Sequence, residues 1–516
     1  MSLLRLNQIS SLDDSVLINV EELATKNDLL ASLIEYSASS EGAKPRSIAS
    51  RLAETVTPGD FGADLFGVKD STDAMKNFFI AIQSAGTTGY LPKGKVLVSD
   101  GFAITGPITL KGDKGFTICN TNALLSKPLI DIKASAVEGT YLDGFNITSS
   151  VTVSNQSAAG IRVAAGKDYI IQNVRVSDTY VGIRIAGAPY GATIRGCFVS
   201  NTVSHGYHIT DANLVVDGNY AINCGGYGYV FDTDTNGAAG IMLLNNTNFQ
   251  SKLAGYAFIG KLSKTISDVH LVNNLNSTMP TAPGYVFDTY GKNIMIDNCF
   301  SELAGTNFDA TPNSNQAGFL ITENNHRLNL NNSQATFSGG SGVDIRCSYF
   351  NITGGDSTAN ALVNGGSDSG LLVGVAGAVN NFTIVGVNTA PKSGDDVNYQ
   401  TYGINIFSAG TSSGSIVGCV LSGTSSGLQI NNSPGVKVTN CPGYVNDAYG
   451  TVTIPAGSTS ASVAHGLSRA PALVMLTPRD ANFKVWAGSL SVTSFVVNID
   501  SAASSPTTIQ YLCRCQ

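Results

Sequence analysis

Glutamate is scarce along most of this chain, which makes the few that occur informative. Between residues 139 and 516 the only glutamates are Glu302 and Glu323. Glu302 follows the alternating run "NIMIDNCF", and Glu323 follows "GFLI", so both are expected just beyond strands. An aspartate there is explained as a turn former, because its short carboxylate bonds nearby backbone. A glutamate is not, and wants another reason. Two carboxyls can break a glycosidic bond when one protonates the leaving oxygen and the other activates water. Asp232 and Asp288 form a second candidate set, each directly after a "GYVF" run.

The stretch "DTDTNG" adds Asp234. Asp232, Asp234, Asn236 and Gly237 match the first half of a calcium loop, but the twelfth position is Leu243, where a bidentate glutamate is required. A turn, or a carboxylate cluster in a sugar groove, fits better, and no metal or cofactor is expected. Elimination at a uronate is a different chemistry. It needs a cation or donor on the sugar carboxylate and a base for the α-proton. His208, Arg184 and Tyr180 supply these types from neighbouring segments; Tyr207 is nearby but expected to face inward. Arg162, Arg184 and Arg346 suit an acidic chain substrate, with ordinary surface charge as the alternative.

What positions these residues is a repeat. From Gly160 onward a glycine followed by alternating apolar residues recurs eleven times, at Gly160, Gly182, Gly206, Gly228, Gly255, Gly284, Gly318, Gly342, Gly370, Gly403 and Gly427. The spacing runs from 22 to 34 residues. Most are followed by a second strand ending in Asn, Asp or Gly, such as "YIIQNVRV" or "NLVVDGNY". A period of this size built from short strands means a solenoid, since one coil cannot bury its own apolar face. The expectation is an all-β, right-handed parallel β-helix of about eleven coils. Residues two and four after each glycine then face outward. The first row reads Arg162, Arg184, His208 and on to Asp344; the second holds Thr210, Asp232, Ile259, Asp288 and Arg346. Asp232 and Asp288 lie two coils apart, about 9.6 Å at the inter-strand spacing. That is at the edge of the roughly 6.5–9.5 Å of inverting glycosidases; retaining ones need about 5–5.5 Å. Cys197, Cys299, Cys419 and Cys441 fall at similar places in the second strands and are expected to stack in one internal ladder.

Before the repeat, "DFGADLFGVKDSTDAMKNFFIAI" leads from turn residues into the clearest helical pattern. Asp70 or Ser71 suits its N-cap and Asp73 its first turn. Ala74, Phe78, Ala81 and Ile82 form an apolar face. Such a helix would cover the open end of the solenoid, whose unpaired edge invites aggregation. This stretch, continuing into "GYLPKGKVLV", resembles the opening motif of pectate-lyase-like β-helix proteins. With the preceding "KPRSIASRLAETVTPGDFGA" it resembles the version in bacteriophage tailspikes. The resemblance is specific over residues 40–100 and generic over the repeats. It implies a homotrimer that binds, and often cleaves, a bacterial capsular or surface polysaccharide. It further implies a place in the virion tail, attached to a tail or baseplate protein through the N-terminal segment. Hydrolysis is the preferred reading and a polysaccharide lyase the alternative. A non-catalytic adhesin or tail fibre is the rival of another class.

The expected organisation is an attachment or neck segment at 1–55, the solenoid's lead-in and capping helix at 56–149, the β-helix at 150–447 and a C-terminal β-sandwich at 448–516. The first carries a helical pattern with Val20, Leu23, Leu30 and Ile34 on one seam. The last holds about six short strands, for trimerisation or carbohydrate contact. Its Trp486 is expected in the core and His465 in a turn. Only 13% of residues are charged, and the net charge of -7 gives no reason to expect nucleic acid. No apolar run reaches the roughly 18 residues that span a bilayer, so no membrane insertion is expected. The opening "MSLLRLNQISSLDD" lacks a signal peptide's apolar stretch, which suggests folding in the host cytoplasm. The nine cysteines read as reduced, buried thiols.

Overall fold

The glycine-led runs become strands of one parallel sheet. In this computed structural model a sheet of 13 strands runs from Phe102–Ile104 to Ser426–Ile430, and all eleven repeats lie in it. A second parallel sheet of 15 strands and a third of 12 complete three long faces. Successive coils give one strand to each face in turn, as in Ala159–Val163, Ile170–Gln172 and Arg175–Ser177. These long parallel sheets are consistent with a right-handed β-helix. The structure describes residues 54–515 apart from 134–137, 165–166, 188–190, 212, 280, 305–315, 363–367, 391–399, 408–410, 425, 431–432, 434 and 480–482, together with 35–36 and 46–47. The seam at Val20, Leu23, Leu30 and Ile34 lies outside the described residues. Glu35–Tyr36, at the end of that helical pattern, instead pairs antiparallel with Arg46–Ser47.

The repeat glycine is a steric requirement. A Cβ on Gly160 would lie 2.3 Å from Val176 Cγ1, and one on Gly228 would lie 1.9 Å from Asn248 Oδ1. The chain turns there from the third face into the first, and a side chain would enter the filled interior. Beyond the glycine, alternation does the sorting: Ile161 and Val163 are buried and Arg162 points out. Inside, Tyr207, Tyr229, Tyr256, Tyr285 and Phe319 form one stack with ring centroids 4.6–4.8 Å apart. The turn residues that end the second strands adopt left-handed backbone, as at Asn245 (φ 56°) and Gly218 (φ 63°), where Asn and Gly are tolerated best.

The residue after that turn points inward and builds a polar ladder. Asn219 Nδ2 donates to Asn246 Oδ1 at 3.0 Å, and Asn246 Nδ2 to Asn274 Oδ1 at 2.9 Å. The cysteines share this ladder but do not stack as one run. Cys197 and Cys299 flank the three asparagines, and only Cys419 and Cys441 are in consecutive coils. All nine thiols are free and buried.

The core is continuous from Met75 to Cys441. The helix Thr72–Ala85 covers the start of it. Its buried face is Met75, Phe78, Phe79 and Ile82. Ala74 and Ala81 are only half-buried, because the larger neighbours fill the solenoid's end. Ser71 takes the N-cap position without a side-chain capping bond, its Oγ accepting the Asp64 amide, and Asp70 just before it accepts the Thr72 amide at 2.7 Å. After residue 446 the six strands form two three-stranded antiparallel sheets with a shared core. Trp486 is not in that core but half-exposed. His465 is in it, buried against Phe495, with Nδ1 accepting the Leu467 amide.

Candidate functional site

Register on the first face decides which side chains can act together. Ladder pairing places Asp131, Arg162, Arg184, His208, Val230, Ala257, Val286, Leu320 and Asp344 in one outward row. Thr210, Asp232, Ile259 and Asp288 occupy the parallel row. Two polar clusters stand along these rows.

The first cluster centres on His208, whose Nε2 lies 2.9 Å from Asp232 Oδ2. Burial pushes Asp232 up, but the His208 hydrogen bond and charge outweigh it and hold the carboxyl below its usual range. Its other oxygen, Oδ1, is buried without a partner among the described residues. His205 meets His208 edge-on, with ring centroids 5.2 Å apart, and stacks on Tyr227 at 5.3 Å. Its Nδ1 accepts the Tyr227 amide. Burial, then the nearby His208 charge, lower the His205 pKa to about 4, so this imidazole is neutral at neutral pH. Arg184 is one coil below His208, and its buried Nε has no acceptor among the described residues. Tyr180 packs partly against the core.

The second cluster lies on the coils that begin at Gly284, Gly318 and Gly342. Asp288 Oδ1 accepts from Thr322 Oγ1 and from Asn324 Nδ2, both at 2.8 Å. Glu323 sits between those two donors and is exposed. One coil on, Arg346 is bidentate to Asp344, with Nη2 2.7 Å from Oδ2. Asp344 is 1% exposed. Burial raises its pKa against the pull of Arg346, and the charges of Asp368 and Glu323 add to the rise. At that depth Asp344 positions the guanidinium and does not reach a ligand itself.

The structure places Glu323 on the coil next to Asp288, between the two residues that bond it, although the sequence placed the two carboxylates in different pairs. It separates Glu302 from both: Glu302 lies within the strand Phe300–Ala304 of the third face, not beyond a strand end, and accepts from Ser277 Oγ at 3.3 Å. Asp232 and Asp288 share their row but with Ile259 between them. Asp234 is exposed in a loop tied down by Asp211, whose carboxylate accepts the amides of Asp234, Thr235 and Asn236 at 2.9–3.0 Å. With the Asp232 side chain turned to His208, this stretch is a capped turn. Among the described residues no cluster of three or more metal-binding side chains occurs. Arg162 is committed to Asp131, with Nε 2.8 Å from Oδ1; of the three arginines only Arg184 lacks an ion pair among the described residues.

Sequence reasoning missed His205, Tyr227 and Asp131. His205 and Tyr227 each directly precede a repeat glycine, in consecutive coils. Reading the row before the glycine as well as the rows after it would have found them. Asp344 was legible as an outward residue, but its burial and its pairing with Arg346 were not.

No protein-family profile matches the chain, and no curated protein matches it. Solved structures do. Tailspike protein 3 of bacteriophage CBA120 is 16% identical with a TM-score of 0.53, over 82% of this chain and 68% of that one. A thermostable GH87 α-1,3-glucanase catalytic unit from Streptomyces thermodiastaticus is 16% identical with a TM-score of 0.52, over 79% and 70%. The tailspike of E. coli bacteriophage HK620, in complex with a pentasaccharide, is 12% identical with a TM-score of 0.51, over 96% and 100%. At such identities the likeness shows a shared β-helix fold, that of phage tailspikes and of a glycoside hydrolase.

Proposed function

We propose that this chain is a phage tailspike that binds an extended bacterial surface polysaccharide along its first face and hydrolyses its glycosidic bonds. The observation that carries the reading is the Asp288–Glu323–Arg346 grouping on three consecutive coils. Asp288, held by two donors on one oxygen, keeps a fixed orientation and takes a proton from the attacking water. Glu323, longer and exposed, delivers a proton to the leaving oxygen. Arg346, paired with Asp344 through Nε and Nη2, offers its remaining guanidinium N–H groups to sugar oxygens. The GH87 enzyme and the sugar-bound HK620 tailspike, which share the fold, support this reading. Assembly as a homotrimer, attachment through residues 1–55 and location in the virion tail belong to the same proposal. So does a role of the C-terminal module in trimerisation or sugar contact.

A second reading rests on the other cluster. Arg184, partly buried and without an ion pair among the described residues, would neutralise a uronate carboxylate, and His208, oriented by Asp232, would remove the α-proton. The products distinguish the two. Mass spectrometry of host surface polysaccharide after incubation with the protein should show fragments carrying one added water per cut. Fragments with an unsaturated end and no added water would replace hydrolysis by elimination. An intact but bound polymer would make the chain an adhesin.

A further inference from the structure

The third face carries a groove built by other strands than those of the two clusters. Its floor is an outward row from four consecutive coils, Asn146, Arg175, Phe198 and Tyr220, in direct ladder register. With Lys114 and Thr148 at its sides, the part over Asn146, Arg175 and Phe198 has a volume of about 580 Å³, and Tyr220 lines a smaller adjoining pocket with Lys114, Arg175 and Phe198. Arg175 lies over the Phe198 ring, 5.1 Å from the centroid, and Phe198 stacks on Tyr220 at 6.1 Å. Tyr220 is 46% exposed, although large aromatics are usually covered.

We infer that this groove is a non-catalytic binding site for an acidic sugar chain. Three features select that occupant. The exposed Tyr220 ring presents apolar surface to the C–H face of a pyranose, and Phe198, held between Arg175 and Tyr220, fixes both neighbours. Asn146 and Thr148, with Ser177 beside them, present amide and hydroxyl groups suited to sugar hydroxyls; Thr148 and Ser177 are 2.9 Å apart. Lys114 and Arg175 make no ion pair among the described residues, in a chain whose net charge is -7. Asp178, which follows Ser177, accepts from Thr148 Oγ1 at 3.1 Å. Two unpaired cations beside stacked rings fit a carboxylated sugar better than a neutral one, because an arginine fork matches a carboxylate. The inference rests on the reading that the chain handles polysaccharide. It adds that the polymer is held at a place where it is not cut, which raises retention through a second contact.

The test is isothermal titration calorimetry of the full chain with hexagalacturonate, and with maltohexaose as the neutral comparison. Hexagalacturonate is expected to bind and maltohexaose to bind at least tenfold more weakly. Arg175→Gln and Phe198→Ala are each expected to weaken hexagalacturonate binding at least tenfold, with unchanged melting and sedimentation. Absence of hexagalacturonate binding at millimolar concentration overturns the inference. So does binding that Arg184→Gln abolishes and Arg175→Gln leaves intact. A change of oligomeric state in the groove variants would also overturn it, by showing an interface between copies. The readout requires no bond cleavage. Groove binding without cleavage removes the depolymerase reading alone, and cleavage without groove binding removes this inference alone.

Discussion

Asp288→Asn separates chemistry from fold at the second cluster. Asn retains an oxygen that can accept from Thr322 Oγ1 and Asn324 Nδ2, the two bonds of 2.8 Å that hold Asp288. What it loses is the charge and the proton-accepting oxygen. A hydrogen bond to a charged group contributes about 1.5–3 kcal/mol against about 0.5–1.5 for a neutral one. Two such bonds weakened by about 1 kcal/mol each bound the stability loss at about 2 kcal/mol, and solvent reduces it further. The rate should fall far more. General acid–base catalysis contributes about 10²–10⁴-fold, or about 2.7–5.4 kcal/mol at 1.36 kcal/mol per decade. The assay is release of reducing ends from host polysaccharide, with far-UV circular dichroism and a melting curve as controls. A variant that melts like the parent and cleaves at least 100-fold more slowly supports the hydrolytic reading. A folded variant that cleaves within threefold of the parent refutes Asp288 as a reacting group. Glu323→Gln carries the same expectation, and Glu302→Gln, on another face, should cleave at the parental rate.

Other consequences concern the frame that holds the site. The unfolded His205 binds a proton near its ordinary pKa of 6.5 and the folded one only near about 4. Stability should therefore fall as pH drops through that window, by at most about 3 kcal/mol at 1.36 kcal/mol per unit. Denaturation midpoints of His205→Gln should show less loss between pH 6.5 and 4; equal loss would contradict the assigned cause. Asn246→Ala removes a fully buried amide that accepts from the Asn219 amide and donates to Val216 O at 2.8 Å. Stranding these groups should cost about 2–4 kcal/mol in chemical denaturation, and a loss under about 1 kcal/mol would mean the ladder is not stabilising. Gly228→Ala, whose new Cβ meets Asn248, should cost about 1–3 kcal/mol by overpacking. Gly377→Ala, with nothing within 4 Å, should be neutral in the same melt, and equal effects at both sites would dismiss the steric account.

Much of the frame was legible because its causes are local. A glycine at the turn into the first face, alternation after it and Asn or Gly at the next turn each leave a one-residue mark, repeated every coil. The same periodicity placed Arg184, His208 and Asp232 on one surface before any coordinates, since parallel register follows from stacking equal strands. The reach of side chains across coils was not local. Asp288 and Glu323 are 35 positions apart in sequence, and it is the bonds from Thr322 and Asn324 to Asp288 that tie their adjoining coils at this point. Glu302, equally rare in type, went to another face because its strand is the third of its coil. Arg162 and Arg346 looked available until Asp131 and Asp344 were seen to neutralise them. Periodicity along the chain determines which way a residue points; pairing, burial and charge between coils decide what it meets. Those depend on loop lengths and neighbours that no single repeat encodes.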